Sequence, residues 1–386
     1  MHCNIKGFRL FPAFILAFAI LFSSPLVKAD SLSTSVAAPD SASVAAVQGE
    51  AMPKTEHPAE KSEKFNAGEM IIEHISDSHE WHIVGHLAIP LPIIIYNTQS
   101  GFSVFSSAHF EEGDYAGYRL VKNEIVAVNE DGTINEARTK SSFDISITKN
   151  VAALLISVSL LLFIFLSVAS AYKKRAGMAP KGMQSFMEPI IMFIRDDIAK
   201  ASIGPKYERF MPFLLTVFFF ILINNLMGLI PFLPGGANLT GNIAVTMVLA
   251  LFTFVITSYS ATGSYWRHVI AMPGVPPWVL LILTPIEILG VFLRPFVLMV
   301  RLFANITGGH IIILSFISLI FIFGEMSTGL GLGASPVSLF FAIFMSCLEL
   351  LVAFLQAYVF TLLSAIYFGS AVEEHHHEEH AEGAHH

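Results

Sequence analysis

Phe296-Val297-Leu298-Met299-Val300-Arg301-Leu302-Phe303-Ala304-Asn305 lies inside a stretch of 46 residues, 278–323, in which apolar character hardly lapses. A membrane helix needs about 20 such residues. The stretch is therefore long enough to cross a bilayer with much to spare. Yet an arginine stands near its middle. A charge at mid-membrane costs roughly 2.5–3.5 kcal/mol on insertion scales, so both fold and function turn on what surrounds Arg301.

The whole chain reads the same way. Of its 386 residues 54% are hydrophobic and 13% charged, about half the roughly 25% charged of soluble domains. Phe alone occurs 34 times, and the mean hydropathy is +0.64. Polar residues are too few to cover a globule of 42.3 kDa, so much of the surface must face lipid and a soluble enzyme is excluded. The net charge of −8 excludes a nucleic-acid binder, which needs a basic stripe to neutralise phosphates. Two cysteines exclude a disulfide scaffold and any Cys-based zinc or iron–sulfur cluster. Cys3 falls in a targeting-like segment and Cys347 in an expected span, and neither is expected to pair. No cofactor is implied.

Working outward from Arg301, the spans come in order. Residues 150–172 are uncharged and make one transmembrane helix by length, closed by Lys173-Lys174-Arg175, which marks the cytoplasmic side. Residues 183–200 mix apolar positions with Arg195, Asp196, Asp197 and Lys200 and read as an amphipathic helix at that interface. Between Arg209 and Arg267 lie 57 uncharged residues, about 85 Å as one helix. Pro231, Pro234, Gly235, Gly236 and Gly241 divide them into two spans, 210–230 and 242–264. The 278–323 stretch either breaks or lies strongly tilted, and 337–372 adds a last span after an expected glycine-rich loop at 324–336. The fold class is thus an all-α multi-pass membrane protein of about five membrane helices, two of them long, tilted and C-terminal.

Upstream the composition changes. Lys6 and Arg9 precede a short apolar core, 11–22, and Val27-Lys28-Ala29 resembles a cleavage site, so 1–29 reads as a signal peptide rather than a span. Residues 30–64 lack the aromatics to bury a core and read as a flexible linker. In 65–148, short runs such as Ile93-Ile94-Ile95-Tyr96 and Ile125-Val126-Ala127-Val128 alternate with turn signals, Asn129-Glu130-Asp131-Gly132 among them. A small β-rich, periplasmic extension is expected there. Residues 149–372 form the membrane domain and 373–386 a His/Glu-rich cytoplasmic tail, solvated or partly a purification remnant. The N-terminus is then periplasmic and the C-terminus cytoplasmic.

Charges inside the last 95 residues of the membrane domain, 278–372, number five: Glu287, Arg294, Arg301, Glu325 and Glu349. Intramembrane ionisable residues are functional candidates by default. For Glu287, Arg294 and Glu325 an internal ion pair, or snorkelling from a helix end, explains the residue equally well. Arg301 has apolar neighbours many positions to each side. Glu287, Arg294 and Arg301 are seven apart and form one slowly drifting stripe, and Asn305 shares the face of Arg301 one turn on. His310 is nine residues beyond Arg301, half a turn round, so the two address different surroundings. Gly308-Gly309 beside it lets another backbone approach closely. On the last helix Glu349 and Gln356 share a face. A fixed cation with a His, a Glu and a Gln among packed helices is the vocabulary of a proton or cation path. His titrates near neutral pH, whereas Arg holds its proton and acts as a gate where Lys would leak.

These residues resemble one family: subunit a of the membrane (Fo) sector of rotary ATP synthase. Arg294-Pro295 followed by Val300-Arg301-Leu302-Phe303-Ala304-Asn305 is similar to its signature of a basic residue, Pro, then Arg-Leu-Phe-Gly/Ala-Asn. Ile223-Asn224-Asn225-Leu226-Met227-Gly228-Leu229-Ile230-Pro231 resembles its Asn-Leu-x-Gly-x-x-Pro helix end, and Leu355-Gln356-Ala357-Tyr358-Val359-Phe360 its last-helix run. The resemblance covers about 220 residues, 149–372. It implies that Arg301 is the stator arginine facing a ring of c subunits and that His310 and Glu349 are the polar pair of a half-channel. Some members have Glu then His at these places; the order here is reversed and keeps one acid and one imidazole. Gln356, Asn305 and Asn225 match the family's glutamine, gate-helix asparagine and entry-path polar residue, while Gly228 stands where some members carry Asp.

The resemblance further implies a non-catalytic subunit of the bacterial inner membrane. Its partners are the c-subunit ring, the peripheral-stalk b subunits, the remaining synthase subunits and lipid, and the transported ion is the proton. Protons would enter by Asn225, His310 and Glu349, neutralise a rotor carboxylate and leave after nearly a full turn, Arg301 keeping the two half-channels apart. The chain itself carries no phosphate-binding loop. Two other classes compete. A secondary transporter requires internal inverted repeats, and none is convincing between 210–264 and 278–372. A metal-dependent membrane enzyme is suggested by His74, His79, His82 and His86, but their spacing misses H-E-x-x-H and they fall in the extension, where a solvated or structural role suffices.

Overall fold

The computed structural model describes residues 66–373 apart from 85–86, 99, 111–112, 122, 130, 176, 231–235 and 273. The expected signal peptide, most of the linker and most of the His/Glu-rich tail lie outside the described residues. So do Pro231, Pro234 and Gly235, three of the five expected breakers.

Among the described residues five helices are long and apolar enough to cross a membrane. They follow a smaller region that opens with helix α1, Ala67–Ile75. Among the described residues seven short strands come next: β1 Glu80–Val84, β2 Leu87–Pro90, β3 Pro92–Asn97, β4 Gly101–Ser106, β5 Tyr118–Val121, β6 Glu124–Ala127 and, after helix α2 (Glu136–Lys140), β7 Ser142–Asp144. All pairings are antiparallel, in three small sheets ordered β1-β2, β4-β3-β7 and β5-β6. Alternation along β3 turns Ile93 and Ile95 inward onto Phe105, Tyr118 and Ala127, and leaves Tyr96 on the other face. At the end of β3, Asn97 is 1% exposed, and its amide donates to the carbonyl of Arg138 and to the hydroxyls of Ser141 and Ser142. That one side chain ties β3 to the α2–β7 connection, and a buried amide so satisfied is what native interiors require.

The first span, α3 (Lys149–Lys174), begins five residues after β7. Its start is capped from the strand region. Lys149 N donates to Ser78 O (2.8 Å), and Asn150 N donates to Asp77 Oδ1 (3.0 Å). A carboxylate accepting from a first-turn N–H also suits the positive end of the helix dipole. Helix α4, Met183–Phe193, continues as a π-turn over Ile194–Lys200. Met187, Ile194 and Ile198 are buried on one side of it. On the other side Asp196 holds Arg195 (2.7 Å) and Lys200 (2.6 Å), a pairing that drives its carboxyl well below the usual range.

Helices α5 (Met211–Leu229) and α6 (Ile243–Ser260) form the next pair of spans. Helix α5 is central, and most of its apolar residues are buried inside the chain. Phe165 of α3 meets Phe219 edge-on at 4.9 Å, and Phe210 stacks on Phe368 at 4.7 Å. The return span ends earlier than expected, at Ser260. Thr262 starts a separate short helix, α7 (Gly263–Ile270), by accepting from Tyr265 N (3.4 Å). A threonine in extended backbone whose hydroxyl caps a new helix competes with continuation of the old one, which explains the shorter span.

The last two helices differ most from expectation. Helix α8, Pro277–Met326, is continuous for 50 residues through Pro285 and Pro295, and α9, Thr328–Val372, runs for 45 through Pro336. At 1.5 Å per residue they extend about 75 Å and about 68 Å. The loop expected at 324–336 reduces to Ser327, whose hydroxyl caps Leu330 N (3.2 Å). One glycine there serves packing: a Cβ on Gly331 would stand 2.8 Å from Gly324 Cα, so the two helices approach closely at that point only without a side chain. In an apolar surrounding, backbone groups have no water to turn to, and the helix is the state that satisfies them.

Candidate functional site

Helix α8 carries Arg301, Asn305 and His310. Helix α9 carries Glu349 and Gln356, and the C-terminal part of α5 carries Asn225. The helical hairpin brings His310 and Glu349 together: the imidazole Nδ1 is in direct hydrogen-bonding contact with Glu349 Oε1. Glu349 is 4% exposed, and an acid is buried so deeply only when paired. The close approach expected at Gly308-Gly309 was that of another backbone; what comes close is the Glu349 side chain, and only at Gly309. A Cβ on it would lie 2.8 Å from Glu349 Oε1, whereas Gly308 has open space.

A second polar contact lies beside this pair. Asn225 is 3% exposed; its amide donates to the Ala353 carbonyl (3.1 Å), one turn beyond Glu349, and its Oδ1 accepts from Thr240 Oγ1 (2.6 Å). The segment 236–241 that supplies Thr240 is itself fixed. Asn238 Oδ1 accepts from Gly241 N (2.9 Å), and Thr307, one turn before His310, donates to the Gly241 carbonyl (3.2 Å). Gly228 completes the enclosure. A Cβ there would meet Ala237 O at 3.6 Å and His310 Nε2 at 3.8 Å. Asn225, Thr240, His310 and Glu349 thus place two polar contacts side by side, between α5, α8 and α9.

Arg301 and Asn305 are elsewhere. Both are exposed on α8, and among the described residues Arg301 makes no hydrogen bond or ion pair. Along the helix axis Arg301 and His310 are about 14 Å apart. Gln356 is buried two turns beyond Glu349, and no hydrogen bond joins it to Arg301. Arg294, seven residues before Arg301, is held instead: its guanidinium lies 5.7 Å from the Tyr367 ring centroid and donates to Tyr265 Oη (3.4 Å). That supports the structural explanation for Arg294 and sharpens the contrast with Arg301.

Sequence reasoning missed Thr240, Thr307 and the role of 236–241, which it treated only as a break between spans. The available signal was Asn238 and Thr240, two polar residues inside an uncharged run of 57. Among the described residues no group of three or more His, Cys, Asp or Glu is arranged to hold a metal. His79 is buried with Nε2 3.5 Å from Asp144 Oδ2, while His86 lies outside the described residues.

The fold and this site define a class: a multi-pass membrane protein with ionisable side chains set among long apolar helices. Residues 151–369 match the family described as ATP synthase A chain. The chain is 49% identical over 249 residues to the ATP synthase subunit a of Chloroherpeton thalassium, covering 63% of this chain and 71% of that protein. It is 44% identical to ATP synthase subunit a 2 of Chlorobaculum tepidum (69% and 75% covered) and 43% identical to the subunit a of Pelodictyon phaeoclathratiforme (74% and 84% covered). The chain belongs to the ATP synthase subunit a family. Residues 70–145 match a second family, described as a domain of unknown function (DUF8433).

Proposed function

We propose that this subunit is the stator half of the synthase's proton channel, working against a rotating ring of c subunits with the b subunits holding it still. Its role in proton translocation follows from the family, and the transporter reading is not favoured. What carries the residue-level reading is one contrast. An unpaired, exposed Arg301 stands on a long apolar helix, two and a half turns before a buried His310–Glu349 contact. An arginine left uncovered on such a surface is stable only against a partner that supplies negative charge. A ring of carboxylates supplies it.

In this reading a proton enters along Asn225, His310 and Glu349 and neutralises a rotor carboxylate, which can then turn into lipid without carrying charge. Gln356 continues this path along α9, and Asn305 lies beside the arginine on the rotor-facing side. When the rotor site returns, Arg301 attracts the carboxylate and favours loss of its proton to the second half-channel. Because a guanidinium keeps its own proton, it separates the two half-channels instead of joining them. Each elementary charge crossing gains about 2.3 kcal/mol per 100 mV, so several crossings accompany each ATP.

The arrangement in the membrane belongs to the same proposal. Helices of about 75 Å and 68 Å exceed a hydrocarbon core of about 30 Å and lie steeply tilted along the ring. Lys173, Lys174, Arg267 and His268 mark the cytoplasmic side of a bacterial inner membrane. The region before α3 is then periplasmic, following a cleaved signal peptide and a linker. The test is ATP-driven acidification of vesicles holding the assembled complex. Arg301→Ala is expected to assemble and to abolish pumping, and unchanged pumping would refute the assignment.

A further inference from the structure

The domain of unknown function at 70–145 touches the membrane part at places that bear on the Asn225 and His310–Glu349 contacts. Trp81, on β1, is 3% exposed and buried in a cluster with Ala153 of α3 and Ala237, backed by Ala152 and Ile156. Ala237 belongs to 236–241, the segment that supplies Thr240 to Asn225 and the Gly241 carbonyl to Thr307. Its own carbonyl lies against Gly228, whose other neighbour is His310 Nε2. From the indole to the imidazole there are two intervening residues, Ala237 and Gly228. The domain is also fastened at several points. Ser78 O and Asp77 Oδ1 accept from the first two backbone N–H groups of α3, Lys149 Nζ reaches His74 O (3.3 Å), and α1 packs against α8.

We infer that this domain forms the outer wall of the proton entry path, and that Trp81 is a positioning residue that holds 236–241 against the His310–Glu349 pair. The inference rests on the reading of that pair as part of the path. The physical argument is about rigidity. The 236–241 segment joins two spans, contains Gly236 at φ +77° and Gly241, and has little apolar surface of its own beyond Ala237 and Leu239. A buried indole supplies large contact area with few rotatable bonds. Without it, Ala237 loses the largest side chain of its cluster, and the Thr240–Asn225 hydrogen bond loses its fixed geometry. A domain that only aided assembly would have no need to press an aromatic ring onto this segment.

The test uses the whole complex in vesicles, with the catalytic head removed to read passive proton conduction and the amount of subunit a per complex measured in parallel. Trp81→Ala is expected to lower conduction per complex about tenfold, since a displacement of about 1 Å in a reacting array costs up to about 10²-fold. The dependence on outer pH is expected to shift while the dependence on inner pH stays. Trp81→Phe is expected to recover both, and Ala237→Leu, which crowds the same contact from the membrane side, to reproduce the defect. Native conduction and an unmoved outer-pH profile in Trp81→Ala would overturn the inference. So would loss of both Trp81→Ala and Ala237→Leu from the complex, which would assign the domain to assembly. Glu349→Gln in the same vesicles separates the two layers: if it conducts normally the pair reading fails, and if it blocks while Trp81→Ala conducts normally only the domain's role fails.

Discussion

Glu349→Gln removes one function and little else. The amide fills the volume of the carboxyl, keeps a hydrogen-bonding atom towards His310, and fits beside Gly309 where a larger group would not. What it loses is the ability to take up and release a proton. A positioned group that transfers protons contributes about 10²–10⁴-fold, equivalent to about 2.7–5.4 kcal/mol of barrier. Passive conduction through vesicles stripped of the catalytic head, driven by a potassium diffusion potential, is expected to fall by that range in Glu349→Gln with assembly intact. The reversed pair, His310→Glu with Glu349→His, restores one acid and one imidazole and is expected to recover conduction in part. Full recovery is not expected, because the ring at 349 must fit against Gly309. Native conduction in Glu349→Gln would show that the contact only fastens α8 to α9, and the relay argument would be wrong.

Three further outcomes follow from the same geometry. Asn225→Leu leaves the buried Thr240 hydroxyl without its acceptor, a loss of about 1–3 kcal/mol that should appear as a lower thermal midpoint of the detergent-extracted complex, together with reduced conduction. Gly309→Ala sets a Cβ 2.8 Å from Glu349 Oε1 and is expected to lower conduction strongly, while Gly308→Ala, with open space, is expected to be nearly silent in the same assay. Burial pushes the Asp144 carboxyl up, but its contacts with His79 and Ser146 outweigh that and hold it below the usual value. A carboxyl lowered on folding adds stability above its ordinary range near pH 4 and loses it as pH falls through the folded value. Protease resistance of the 66–148 region should therefore weaken on acidification below about pH 4, and Asp144→Asn should flatten that dependence.

The five spans were legible because lipid-facing helices need only length and the absence of charge, and both can be read directly from sequence. The hairpin tip was not. Glycines at 324, 329, 331 and 333 promise a loop in water, but all four are helical here, and Gly331 packs closely against Gly324. The seven-residue spacing of Glu349 and Gln356 put both on one buried face of α9, yet spacing along one helix says nothing of what faces it across a hairpin. Only the fold puts Glu349 on His310. Thr307 escaped notice because hydroxyls are common in membrane helices and carry no pattern, and Thr240 because its segment read only as a break between spans. Trp81 escaped because a lone tryptophan in a short strand looks like the core of its own domain, whereas it is buried in the neighbouring one.

The central claim is that Arg301 separates two half-channels as well as attracting the rotor carboxylate. The direct measurement is proton leak across vesicles containing the assembled complex with rotation blocked, comparing the native chain with Arg301→Ala. The account predicts a leak in Arg301→Ala that the native complex lacks, because the entry path would then meet the second path with no fixed cation between them. A membrane as tight as the native one, with rotation blocked and Arg301 absent, would contradict it.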